Sequence, residues 1–285
     1  MGTKLTDRIS AGMPWLDGVA ATLQKAWAPL LGQEAPRTPR DFLYGTWLGH
    51  PLHPAVILAP TGLWTSSLVL DLSGEERAAD LTLALGTISA LGAAVTGAAQ
   101  WQDAANDEKP RRIGALHASL NGAATILYGA SWALRTRGAR TAGVACSTAG
   151  YGIVLASAWL GGDLSYDLGI GVNHTAFEPK PEGWTDALAE AELEEGAPKR
   201  VEVDGTPVLL LRQGEEIFAI SAVCTHLGGP LDEGKIEGDT VTCPWHGSVF
   251  CLRDGKLLHG PATAPEPAFE VRRAGGRIAL RHVGA

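Results

Sequence analysis

CTHLGGP at residues 224–230 and CPWHGS at residues 243–248 each pair one cysteine with one histidine. The first loop reads C-x-H, sixteen residues follow, and the second reads C-x-x-H. Two thiolates and two imidazoles are also a zinc set, but zinc fingers keep the cysteines together and the histidines together. Here each loop supplies one of each, a pattern suited to bridging two irons. Gly228, Gly229 and Gly247 suit tight turns whose amide N–H groups reach sulfur.

Short alternating runs surround these loops: Arg200–Val203, Pro207–Leu211 and Glu216–Ile220, then Thr240–Thr242, Ala268–Val271 and Ile278–Arg281. Turn pairs Asp204-Gly205, Asp254-Gly255 and Gly275-Gly276 separate many of them. Such spacing predicts an all-β sandwich or barrel. Two Cys with two His are the ligand set of a Rieske [2Fe–2S] centre, in which imidazoles replace thiolates on one iron and raise the potential.

The stretch from about Trp184 to Arg281 resembles a Rieske ferredoxin-type domain, in its ligands and also in Leu227, Pro230, the Gly234 turn and Gly260-Pro261-Ala262. The resemblance implies that Cys224 and Cys243 bind one iron. His226 and His246 then bind the other and face the redox partner. It further implies that Leu227 covers the cluster and that the Pro261 loop closes its far side. Quinol-oxidising Rieske subunits of cytochrome bc complexes add a cysteine to each loop and a tyrosine; those positions are Gly229, Trp245 and Phe250 here. Ser248 matches a hydroxyl donor of the high-potential type. Serine without the tyrosine or the disulfide implies a low or intermediate potential. Cys251 reads as a packed strand residue. No G-x-G-x-x-G or Walker loop occurs. No mononuclear-iron domain follows, so the chain is expected not to oxygenate a substrate by itself.

Before this domain the chain changes character. Phe42–Leu70, Leu81–Gln102, Ile113–Leu134 and Thr141–Gly162 contain no Asp, Glu, Lys or Arg. A bilayer core needs about 20 mostly apolar helical residues, and each window meets that length. The windows are rich in Gly, Ala, Ser and Thr, which permit close helix packing in lipid. Tyr44, Trp47, Trp101, Trp159 and Tyr166 fall at window ends, where aromatic belts form. The expectation is a four-helix transmembrane bundle over residues 41–175, a linker over 176–183 and the all-β domain over 184–285. Residues 1–40 form an N-terminal tail whose Trp15–Leu31 stretch has helical apolar spacing. It suits a helix on the membrane surface or one packed on the soluble domain.

Four spans put both termini on one side. Lys and Arg counts favour that side as cytoplasmic, although Arg135, Arg137 and Arg140 pull the other way. MGTKLTDRIS shows neither a signal peptide nor a twin-arginine stretch, and the four cysteines form no disulfide framework. The expected location is the inner (plasma) membrane, multi-pass, with the iron–sulfur domain in the cytoplasm. From Ala176 onward, 18 acidic and 11 basic residues give −7 of the chain's −8. That balance excludes nucleic acid and suits a soluble partner with a basic face.

GHPLHPAV at residues 49–56 opens the first window with two imidazoles. Ionisable groups in membrane spans are functional candidates. His50, His53, His117 and His174 all fall at the terminal side. His53 and His117, on parallel spans, suit axial ligation of a b-type haem, with Asn121 one turn beyond His117. A quinone (menaquinone or ubiquinone) or proton site, and simple interfacial capping, stay open alongside it. Residues 49–173, with GHPLHPAV, ALHASLNGA and GGDLSYDLGIGV, resemble an uncharacterised family of small four-span bacterial membrane proteins. Position 167 is Asp, so no fifth histidine joins the set.

The expectation is an electron-transfer component of an oxidoreductase chain, anchored in the lipid bilayer. It exchanges electrons between a soluble dehydrogenase or hydrogenase and the quinone pool, alone or within a larger membrane complex. A bc-type quinol-oxidising subunit and a redox sensor are the alternatives.

Overall fold

A computed structural model describes residues 4–284, except the side chain of Ala105. Contacts divide the chain into two compact units. One combines the N-terminal residues through Ala35 with Pro51–Ile170; the other combines Pro36–His50 with the chain from Gly171 onward.

The first unit is helical. Two short elements, α1 (Leu5–Gly12) and α2 (Leu16–Leu31), precede its long helices. After α3 (Arg37–Tyr44), which belongs to the second unit, these are α4 (His53–Val56) running on into α5 (Leu58–Leu72), then α6 (Glu76–Gln102), α7 (Glu108–Thr136) and α8 (Arg140–Tyr166). Among the described residues three stretches are long and apolar enough to cross a membrane: His53–Leu72, Glu76–Gln102 and Arg140–Tyr166. The sequence expectation counted a fourth, on α7. That helix carries His117, Ser119 and Asn121 within its charge-free window, which dilutes its apolar character. Leu72, Leu81, Ile88, Leu91, Ile126 and Leu155 stand exposed on these helices, the inverse of a water-soluble bundle.

Small residues here make room for rings. Trp64 on α5 stacks on Tyr128 of α7 with centroids 4.0 Å apart. A Cβ on Gly86 of α6 would meet the Trp64 indole at 2.7 Å, and one on Gly150 of α8 would meet Tyr128 at 3.3 Å. The glycines therefore set how closely the four helices converge on the aromatic pair. At one end, buried Arg135 donates to Asp71, Asp80, Ser131 and Ser147. Arg140 also pairs with Asp71 and Asp80. These arginines are thus neutralised locally, which weakens their vote on membrane sidedness. α2 buries Leu16 and Ala20 against Trp101, Ile113 and Leu160 of the same unit.

The second unit holds α3 (Arg37–Tyr44) and ten strands. These are β1 (Thr185–Ala189), β2 (Lys199–Val203), β3 (Thr206–Gln213), β4 (Glu216–Ser221), β5 (Lys235–Glu237), β6 (Thr240–Thr242), β7 (Val249–Cys251), β8 (Leu257–His259), β9 (Phe269–Ala274) and β10 (Arg277–His282). They form three antiparallel sheets, ordered β1-β10-β9, β2-β3-β4 and β5-β6-β7-β8. The run Val208-Leu209-Leu210-Leu211 on β3 does not alternate with polar residues because both of its faces are covered. Leu209 and Leu211 join a core with Phe218, Ile220, Phe250, Cys224 and Cys243. Val208 and Leu210 join another with Leu188, Phe269, Ile278 and Leu280. The middle sheet is therefore the floor on which the two Cys-His loops rest.

Candidate iron–sulfur site

The loop after β4 and the loop between β6 and β7 repeat one backbone plan. Cys224 N–H donates to Gly229 C=O at 2.8 Å and Gly228 N–H donates to Cys224 C=O at 2.9 Å. Cys243 N–H donates to Ser248 C=O at 2.8 Å and Gly247 N–H donates to Cys243 C=O at 3.1 Å. Gly228 and Gly247 both take left-handed backbone, φ 78° and 80°, where a side chain is strained. The loops thus turn back on themselves and carry their Cys and His to a common end of the domain.

The imidazoles of His226 and His246 meet edge to face, with centroids 5.1 Å apart. Burial, then His246, His174 and Arg40, pushes the His226 imidazole down to about 3, so it stays neutral and keeps a lone pair. Its Nδ1 is buried with no hydrogen-bond partner, an orphan that a metal would satisfy. The Cys224 thiol donates to Cys243 and, being buried too, is raised well above its ordinary value. Cys243 is shifted the other way. That bond and the N–H groups of Trp245 and His246 draw it down to about 7 against burial. Space is equally specific: a Cβ on Gly229 would lie 2.8 Å from the Cys243 Sγ.

Among the described residues no three His, Cys, Asp or Glu groups converge on a single ion. Cys224, Cys243, His226 and His246 fit a [2Fe–2S] cluster by donor type, by the orphaned nitrogen and by the cradle at Gly229. All four cysteines of the chain are free.

The other sequence-predicted residues divide by unit. Buried Ser248 accepts from Ala262 N–H at 2.9 Å, joining it to the Pro261 loop and leaving its own proton to donate elsewhere. Leu227 is half-buried and Pro261 buried. His174 sits against the first loop, its N–H donating to Thr225 C=O at 3.1 Å. His50 is exposed and belongs to the same unit. His53 and His117 lie in the helical unit. His53 Nδ1 faces the Thr96 hydroxyl at 3.2 Å, and that hydroxyl already donates to Gly92 or Ala93 C=O. His117 Nδ1 donates to Ser157 C=O at 2.8 Å, and its Nε2 accepts from Asn121 at 3.1 Å. Both imidazoles thereby carry their proton on Nδ1.

Three residues near the loops escaped the sequence reading. Glu266 accepts from Thr225 N–H at 2.7 Å, and burial raises its carboxyl well above the ordinary range. Its one signal was an acid isolated in the proline-rich PATAPEPA. Arg40 and Asp41 on α3 read only as charges preceding an apolar window.

The family of Rieske [2Fe-2S] domains matches residues 183–272, and the family described as a predicted membrane protein, DUF2231, matches residues 49–174. Ferredoxin CarAc of Metapseudomonas resinovorans is 32% identical over 96 residues, 33% of this chain and 90% of the ferredoxin. The 3-phenylpropionate/cinnamic acid dioxygenase ferredoxin subunit of Escherichia coli strain K12 is 41% identical over 90 residues, 31% of this chain and 83% of that subunit. Among solved structures, the ferredoxin of carbazole 1,9a-dioxygenase from Nocardioides aromaticivorans IC177 is similar at 29% identity. That match covers 34% of this chain and 96% of that one, with a TM-score of 0.33. With its ligand loops and these relatives, the chain belongs to the Rieske [2Fe–2S] proteins and carries that domain behind a DUF2231 membrane domain.

Proposed function

We propose that this protein is a membrane-anchored electron carrier, passing electrons between a soluble redox protein and the quinone pool through a [2Fe–2S] cluster. The observation that carries this reading is the union, on one chain, of a two-thiolate, two-imidazole site with helices whose large apolar side chains stand exposed. When bound, the cluster supplies one-electron chemistry. The chain's own residues hold its irons, aim N–H groups at the sulfurs and exclude water from their side of it. Trp245, 49% exposed, turns its ring edge-on to His246 at a centroid distance of 6.3 Å. That gives an aromatic landing place for the soluble partner, a dehydrogenase, hydrogenase or oxygenase component.

α7 acts as the fourth span, supported by its charge-free stretch from Ile113 to Leu134 and by exposed Ile126. The protein is multi-pass in the inner membrane with the Rieske domain in the cytoplasm, a sidedness supported by Lys109, Arg111 and Arg112 between the second and third spans. A second station, haem b or a quinone, is held between His53 and His117. What favours it is the fixing of both rings at Nδ1, His53 by Thr96 and His117 by Ser157; a haem would have to displace Asn121 from His117 Nε2. Against a bc-type quinol oxidase stands Gly229, where a cysteine would collide with Cys243 Sγ.

The test is the optical and EPR spectrum of the purified full chain before and after dithionite, then after a quinol analogue. A Rieske signal that the quinol reduces is expected. Absence of that signal in iron-loaded protein would sink the reading, and a signal indifferent to quinol would leave only a redox sensor.

A further inference from the structure

α3 lies in sequence before the first apolar window, yet it is part of the Rieske unit. Its Asp41 takes two bonds from the residues that lead into Pro261. His259 Nδ1 donates to Oδ2 at 2.8 Å, and Gly260 N–H donates to Oδ1 at 2.9 Å. Behind them Gly260 is packed so tightly that a Cβ would meet Thr46 Cγ2 at 2.8 Å. The loop expected to close over the cluster is therefore held from α3.

Arg40 is the adjacent residue and is only 6% exposed. Its guanidinium lies 5.8 Å from the centre of the Tyr44 ring. Its neighbour Asp41 binds Gly260, two residues before Ala262, which packs in one core with Cys224 and Cys243. The guanidinium also helps to hold the His226 imidazole down, and His174 Nδ1 would lie 3.7 Å from a Cβ on Gly228. Keeping a guanidinium away from water is costly unless something nearby favours it. Reduction of a cluster adds one negative charge, which a fixed cation stabilises more strongly in a partly dry environment than in water.

We propose that Arg40 is a potential-setting residue for the cluster: α3, anchored through Asp41 to the Gly260–Pro261 loop, holds a permanent cation beside the histidine-ligated end and favours the reduced state. This rests on the Rieske reading and concerns a segment outside the stretch matched by the Rieske family. The Asp41 carboxylate beside Arg40, bonded to His259, enters the balance and is left untouched by the variants.

The experiment is an EPR-monitored redox titration of the full chain in detergent, with cluster content quantified from iron and from spin count. Arg40→Gln is expected to lower the equilibrium constant for reduction about tenfold, about 59 mV for one electron, with cluster content unchanged. Arg40→Lys is expected to keep most of the wild-type value. A loaded Arg40→Gln protein with the wild-type midpoint overturns the proposal. Should that variant not load, Arg40→Met, which keeps the apolar stem without the charge, takes its place, and a wild-type midpoint there overturns it equally. Loss of any Rieske signal in the wild type itself is a different result, and it would remove the function proposed above.

Discussion

The molecule holds two pairs of histidines in two kinds of scaffold. His226 and His246 sit on loops whose turns are dictated by left-handed glycines and by repeated hydrogen bonds around each cysteine. His53 and His117 sit on helices, where backbone geometry is indifferent to the side chain and only Thr96, Ser157 and Asn121 orient the rings. In the first pair the chain is folded around the ligand. In the second the imidazoles are guests on regular elements. A loop site therefore announces its chemistry through spacing, whereas a helical site announces it only through the cost of burying polar groups in lipid.

The strongest way to break the comparison is to delete one member of each set. Cys243→Ser is expected to abolish the Rieske EPR signal while leaving any haem band or quinone reactivity intact. His117→Leu is expected to do the reverse, which EPR and optical spectra of the same preparations check. If either substitution removed both signals, the two sites would not be independent stations.

How far the sequence disclosed this follows the same division. The Rieske family was legible because iron chemistry demands particular residue types at fixed spacing. The strands of the Rieske domain were legible from alternation and turn pairs. The run at Val208–Leu211 read as a strand, but only the structure assigns its alternate residues to two different cores. The anchoring of α3 was illegible, because Asp41 and His259 lie 218 residues apart and neither has a pattern of its own. α7 was read as apolar from its lack of charge, and its polar uncharged residues keep it outside the length-and-composition rule that the other three stretches satisfy.

The two cores flanking β3 sharpen the comparison by asking what keeps the loops rigid. Leu209→Ala and Leu210→Ala each remove a fully buried side chain, at a cost of about 2–5 kcal/mol. Leu209 shares its core with Cys224, Cys243 and Phe250, and Leu210 does not. Denaturant titration should therefore show similar losses for both, while only Leu209→Ala should broaden or reduce the EPR signal. Equal effects on the cluster would mean that the domain responds as one piece.

Adding a single methyl group under each site is a gentler probe. An alanine Cβ at position 229 meets Cys243 Sγ at 2.8 Å, whereas one at position 161 meets His117 Cε1 at 3.1 Å. Overpacking costs about 1–3 kcal/mol where neighbours cannot give. A ligand fixed to a cluster cannot give, and an imidazole at the end of a side chain gives by a small rotation. Gly229→Ala is accordingly expected to lower cluster content several-fold, and Gly161→Ala to leave the spectra nearly unchanged. The opposite ranking would make the helical site the more rigid of the two.

The smallest expected effect concerns how the helical unit holds its outer elements. α2 is tied to α7 by a charged contact: Asp17 accepts from Arg111 at 2.9 Å and from Arg112 at 2.7 Å. Those bonds, Arg112 first and then Arg111, draw the Asp17 carboxyl from 3.8 to about 2. A carboxyl lowered by folding binds its proton more weakly in the folded state, so it contributes stability above its unfolded value. That contribution fades as pH falls from about 3.8 towards 2. Because the aspartate is exposed, water and salt screen the gain and keep it small. Hydrogen exchange of α2 amides should therefore accelerate across that window in the wild type, and less so in Asp17→Asn, which is already loosened at neutral pH. Raised salt should narrow the difference between the two proteins. Salt-independent exchange would mean that Leu16 and Ala20 in the apolar contact hold α2 unaided.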